Sequence, residues 1–282
     1  MKLVLTAAAL AIVNILTITV SACAADEPGG AAPAAASHAA APATKGEPDY
    51  SAWNSILAKY YDPAHGMKYG QLKAHDAATL QALRQQLGRV NVASLNKKQQ
   101  LAYWINVYNI NAVATVVEKY PIKSIRDLST DFIVRLNVFK KDRVPFGGGL
   151  ISLDTIENQK IREGFHDPRI HFAINCAAKT CPPIRTEAYV GERVDAQLDD
   201  QVRRFMSGPF GARFEKKGGN DLDVHVTKIM DWFGDDFEKW GGGRAKFLRR
   251  YVSADKQQLI DQAGGSIDFS YDSYDWDLND WK

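Results

Sequence analysis

Cysteine is scarce in this 282-residue chain, which holds three. None is spaced C-x-x-C, so the familiar zinc patterns have no footing. Charge of either sign is not in excess. Lys and Arg number 35 against 33 Asp and Glu, a formal net charge of +2. That balance removes any strong electrostatic pull toward nucleic acid, and Arg203-Arg204 and Arg249-Arg250 read as solvated helix faces. The Gly147-Gly148-Gly149 run lacks a following Lys-Ser/Thr, which rules out a phosphate-binding loop. It reads as a hinge or a close backbone approach. No internal repeat is present, and nothing suggests a nucleotide, flavin, haem or other cofactor. What remains is an ordinary globular composition: 45% hydrophobic, 24% charged and 10% aromatic.

The N-terminus reads as an address. After Lys2, the run Leu3 to Val20 is apolar, and it ends in Val20-Ser21-Ala22-Cys23. This resembles a bacterial lipoprotein signal over residues 1–22, with Cys23 lipidated. The expected place is the outer membrane, facing the periplasm, with the lipid as the membrane contact. Ordinary cleavage near Ala22 or Ala24 would instead free the protein into the periplasm. Residues 23–47 are rich in Ala, Pro and Gly and bury too little apolar surface to order themselves, so a tether is expected. Residues 48–282 then form a single globular domain.

Within that domain the periodicity is mostly helical. Residues 48–89 read as helices broken at Asp62-Pro63 and ending at Gly88. Residues 96–120 give the plainest helix, with Asn96 and Gln99 as a capping box and Pro121 as the stop. Its Asn106, Asn109 and Asn111 are anomalous, because asparagine is a poor interior helix residue. Asn109 aligns with Ile105, Ala112 and Val116, so it points inward, either as a clasp on a neighbouring loop or as a polar group lining a site. Residues 131–150 read as a hairpin in which Phe132, Val134 and Leu136 alternate. Helices are expected over 152–164, 193–206, 232–240 and 245–263, with a strand at Asp221–Val226. The acidic, aromatic tail should be pinned through Tyr271, Tyr274 and Trp276.

The centre of interest is Asp167–Pro183, DPRIHFAINCAAKTCPP. Alternation predicts a strand that carries His171 and delivers Cys176 to its end. Three readings stand side by side. Cys176 and Cys181 are the only cysteines left once Cys23 is lipidated, and in an oxidising compartment they form a natural disulfide. Alternatively, Cys176 or Cys181 is a nucleophile with His171 as its base, and Glu157 or Asn109 orients the imidazole. Third, His171, Cys176 and Cys181 ligate a metal, although the spacing fits no known pattern. His225 is the reserve partner for a thiol.

Five blocks carry a family resemblance: AYWINVYNINAV (102–113), ISLDTIENQKIR (151–162), DPRIHFAINCAAKTCPPI (167–184), KIMDWFGDDF (228–237) and YDWDLN (274–279). They resemble the domain-of-unknown-function 547 family over most of residues 50–280. The resemblance implies an α+β domain, helix-rich, with a small, mostly antiparallel sheet, and it brings no settled activity. A relation to papain/transglutaminase-like thiol hydrolases would be at the level of fold. The order departs from that superfamily: the buried helix carries Asn106 rather than Cys, and His171 precedes Cys176. The sequence therefore leaves two functions open: a thiol-dependent amide hydrolase or acyl transferase, or a non-catalytic envelope binding or scaffold module stapled by Cys176–Cys181. Neither reading names the substrate or protein partner.

Overall fold

Helix-breaking residues cut the first part of the domain where expected. A computed structural model describes residues 46–129 and 137–282. Helix α1 (Ser51–Tyr60) buries Trp53, Ile56, Leu57 and Tyr60. At Asp62-Pro63 the chain turns through a minimal hairpin, β1 (Tyr61–Asp62) and β2 (Gly66–Met67). Helices α2 (Tyr69–His75) and α3 (Ala77–Gly88) follow.

Helix α4 (Lys97–Lys119) is the organising element. Asn96 accepts from the Gln99 N–H and Gln99 returns a bond to the Asn96 N–H, closing the expected capping box. Every residue from Leu101 to Val117 is buried, so the helix is enclosed on all sides and its polar side chains must find partners inside the protein. Asn106 does so with the backbone of Tyr189, and Asn111 with Arg84 and the Val107 carbonyl.

The expected hairpin is shorter than its pattern. Strands β3 (Val144–Phe146) and β4 (Gly149–Ile151) are joined by Gly147 and Gly148 at φ +59° and +83°. Two successive positive φ values define a tight primed turn, which glycine adopts without a Cβ clash. The glycine run is thus a hairpin turn. Phe132, Val134 and Leu136 lie outside the described residues.

Next comes one helical rod with a defect. Ser152 caps α5 (Leu153–Thr155), residues Ile156–Arg162 wind as a π-helix, and α6 (Glu163–Phe165) completes it. The segment expected as a strand is a 3-10 helix, Pro168–Phe172. The alternation was misleading. The Asp167 side chain accepts from the Arg169 N–H and proline occupies the first turn, both helix-start signals. The tight turn drives Ile170 into the core around α4 and Phe172 into a second core.

That second core lies under the C-terminal part. It includes α7 (Val194–Ser207) and a three-stranded sheet of β5 (Arg213–Gly218), β6 (Asp221–Val226) and β7 (Ile267–Tyr271). Strand β6 runs antiparallel to β5 and parallel to β7, and buries Leu222, Val224 and Val226 as its alternation requires. Strands β5 and β7 escaped the sequence reading: β5 is exposed and charged with Phe214 as its one large apolar residue, whereas β7 does alternate, Ile267, Phe269 and Tyr271 against Asp268 and Ser270, but over only five residues. The helix expected over 232–240 is α9 (Gly234–Lys239), preceded by a separate turn, α8 (Ile229–Trp232), and the one expected over 245–263 is split into α10 (Gly243–Tyr251) and α11 (Ala254–Ala263). The whole is a helix-rich α+β fold with small, mostly antiparallel sheets. No helix among the described residues is long and apolar enough to cross a membrane. The Leu3–Val20 run and Cys23 lie outside those residues.

The tail is pinned, chiefly by backbone. Asn279 N–H donates to Ala177 O, Lys179 N–H to Asp277 O, Leu278 N–H to Lys123 O and Met67 N–H to Asn279 O. Gly66, at φ +99°, lets Asn279 approach so closely that a Cβ there would sit 2.0 Å from its carbonyl oxygen.

Candidate active site

The loop that carries Cys176 is clamped from both sides. From beneath, Asn109 donates to the Ala173 carbonyl at 2.9 Å and accepts from the Asn175 N–H at 2.8 Å. Asn109 is therefore a clasp on this loop, and it makes no hydrogen bond to the His171 ring. Asn175 extends the brace, donating to Pro182 O and accepting from the Ala177 N–H. Ala177 is held at φ +63°, a left-handed conformation that costs a residue with a Cβ. From above, the tail bonds to Ala177 and Lys179 and brings Tyr274 down onto the loop.

Cys176 is half-buried and Cys181 is buried, both as free thiols. Their sulfurs lie 2.9 Å apart, and Tyr274 Oη lies 3.1 Å from Cys176 Sγ. The Cys181 thiol holds the Cys176 thiol below its ordinary value, against burial, and the Tyr274 hydroxyl adds to the lowering. Burial pushes Cys181 the other way, well above the ordinary range. The pair is thus asymmetric, with an activated outer thiol and an inert inner one.

Cys176, Cys181, His171 and Glu157 line one cavity of about 280 Å³. Glu157 stands in the first turn of the π-helix, and Asp154 and Asn158 of the same rod also line the cavity. Its carboxyl is pushed up to about 7 by burial, although the Tyr108 hydroxyl donates to it at 3.3 Å. A carboxyl half-protonated near neutrality suits proton transfer.

His171 has a partner that the sequence reading missed. Its Nε2 lies 2.8 Å from Asp236 Oδ2, and Arg162 grips both oxygens of the same carboxylate. The imidazole and then the guanidinium hold the Asp236 carboxyl far below the usual range. Burial lowers the His171 pKa, against Asp236, and Phe233 stacks on the ring at 4.0 Å. A neutral imidazole beside an ionised carboxylate keeps its proton on Nε2. Nδ1 is then a bare lone pair, buried and without a hydrogen-bond partner among the described residues. The orienting place offered to Glu157 or Asn109 therefore belongs to Asp236. No hydrogen bond joins His171 to either thiol. Donor atoms of His171, Cys176 and Cys181 do not converge as a metal set. Among the described residues the one such convergence is Glu215, Asp223 and His225, on the β5–β6 face. Lys217 already lies 3.4 Å from both of those carboxylates. His225 does not line the cavity.

Asp236 and Tyr274 stand in two of the five blocks that carry the resemblance, which was the one available signal for them. Sequence spacing offered none, since they lie 65 and 98 residues from their partners.

Residues 92–206 match the family described as "Protein of unknown function, DUF547". The match is narrower than the five blocks suggest. It takes in α4, the π-helix, the Cys176 loop and α7, and stops short of Asp236 and Tyr274. No curated protein matches the chain, and no solved structure does.

Proposed function

We propose that this cavity is a thiol active site in which Cys176 attacks an amide or ester carbonyl, as a hydrolase or acyl transferase does. The observation that carries the reading is the outer thiol itself. Cys176 borders the cavity with its sulfur 2.9 Å from that of Cys181 and 3.1 Å from the Tyr274 hydroxyl, a donor available to its thiolate. A thiol with a lowered pKa needs no base in contact to be nucleophilic. The Cys176 sulfur bonds to the carbonyl carbon, the carbon–nitrogen bond breaks, and the Glu157 carboxyl gives its proton to the leaving amine. Water then attacks the thioester and passes its proton to His171 Nδ1. The carbon–sulfur bond breaks to restore the thiolate, and the imidazolium returns the proton to Glu157. Asp236 steadies the imidazolium while it lasts.

The test is acyl capture. Reduced protein is mixed with p-nitrophenyl acetate and analysed by mass spectrometry. One acetyl adduct on Cys176, absent from Cys176→Ser, is expected. An adduct on Cys181 alone, or none at all, would sink the reading.

The same 2.9 Å separation favours a second reading, a structural disulfide in a non-catalytic envelope module. Counting free thiols in the protein purified without reductant separates the two: none supports the bridge, and two support the chemistry. Either reading fits an exported, lipid-anchored protein. A Cys23→Ala variant that still takes up a fatty-acid label would exclude lipidation at Cys23.

A further inference from the structure

The lining of the cavity has a consistent chemistry beyond the thiols. Six of its residues are aromatic and two are carboxylic acids, Asp154 and Glu157, while no lysine or arginine lines it among the described residues. At the wall, Trp232, Tyr274 and Trp276 form a three-ring platform with centroids 4.8 to 5.9 Å apart. The rings come from α8 and from the tail, so two separate segments converge to build it. Trp232 is 46% exposed, which is not the behaviour of a core side chain.

The acids are equally distinctive. Asp62, Asp76, Asp167, Asp199, Asp236 and Asp272 each hold a basic side chain of this protein. Neither Asp154 nor Glu157 has a salt-bridge partner among the described residues. Asp154, without an ion-pair partner in a cavity lined by aromatic rings, is what an organic cation needs. The ring faces attract it through their quadrupoles and Asp154 supplies opposite charge. The platform already shows the first tendency within the chain, where Arg126 lies 4.9 Å from the centroid of Trp276.

We infer that the cavity binds an alkylammonium group, held between the Trp232–Tyr274–Trp276 platform and Asp154. Together with the thiol reading, on which this step rests, the substrate of Cys176 is an acyl compound that carries such a cation.

The probes are choline and its neutral carbon isostere, 3,3-dimethylbutan-1-ol, titrated into the full chain and followed by tryptophan fluorescence. Choline should bind saturably and at least ~10-fold more tightly than the isostere, the size expected of a desolvated cation–π contact. Trp232→Ala and Asp154→Asn should each weaken choline by several-fold with an unchanged circular-dichroism spectrum. Equal binding of the two probes, or none by choline, overturns the inference. Tighter binding of N-acetylglucosamine than of choline also overturns it and makes the platform a sugar site. Choline binding without acyl capture would remove only the thiol reading, and acyl capture without choline binding only this one.

Discussion

Two sets of polar side chains, one on α4 and one lining the cavity, are treated in opposite ways. On α4, Asn106, Asn109 and Asn111 are each hydrogen-bonded through both the amide nitrogen and the oxygen. Facing the cavity, His171 Nδ1 has no partner among the described residues, Glu157 is pushed up to about 7, and two thiols sit in contact with opposite shifts. A missing partner does not by itself mark a site, since Thr115 Oγ1 on α4 and the Tyr189 hydroxyl also lack one among the described residues. What distinguishes the second set is that its titratable groups line one cavity with shifted pKa values. The satisfied set reads as structure and the cavity set as chemistry.

The sharpest way to break the comparison is Asn109→Ala. It strands the Ala173 carbonyl and the Asn175 N–H in the interior, and about 4 kcal/mol of stability should be lost. Urea denaturation would show it. A loss under ~1 kcal/mol would mean that the clasp is not structural.

Glu157→Gln should do the reverse. The carboxyl faces Tyr108 from α4, Asp154 and Arg162 from its own rod, Asp236 from α9, and Cys176. Its folded pKa, about 7, lies above its ordinary value of 4.5. The stability it contributes is therefore complete below pH 4.5 and lost as pH rises through 7. The neutral amide escapes that loss, so the variant should be more stable than the parent by up to about 3 kcal/mol at pH 8 and nearly equal to it at pH 4. Urea midpoints at the two pH values decide it, and acyl capture should fall even as stability rises.

Asp236→Asn comes third. It removes the charge that holds His171 and Arg162, and about 1 to 2 kcal/mol should be lost at pH 7. Asp236 has a lowered folded pKa, so its contribution is full above the ordinary carboxylate value and fades as pH falls below it. The penalty of the variant should shrink correspondingly in acid.

Much of the satisfied set was legible in the sequence. The capping box at Asn96, the burial of α4 and the inward direction of Asn109 all follow from local spacing. The site was legible only as a collection of residue types. His171, Cys176, Cys181 and Glu157 were named, but the brace on the imidazole was misassigned, because Asp236 arrives through tertiary packing. The strand expected at His171 failed because alternation over five residues cannot outweigh an Asp-Pro helix start. The π-helix has no sequence signature, yet it sets the face that Glu157 presents.

The asymmetry of the two thiols tests the account most directly. Native reduced protein is alkylated with iodoacetamide across pH 5 to 10, and the rate at each cysteine is read by mass spectrometry. Cys176 should react with a midpoint below that of an ordinary thiol, Cys181 should stay unmodified, and Cys181→Ala should move the Cys176 midpoint upward. Equal rates at the two thiols, or a Cys176 midpoint at or above that of the unfolded chain, would contradict the claim that Cys176 is an activated nucleophile.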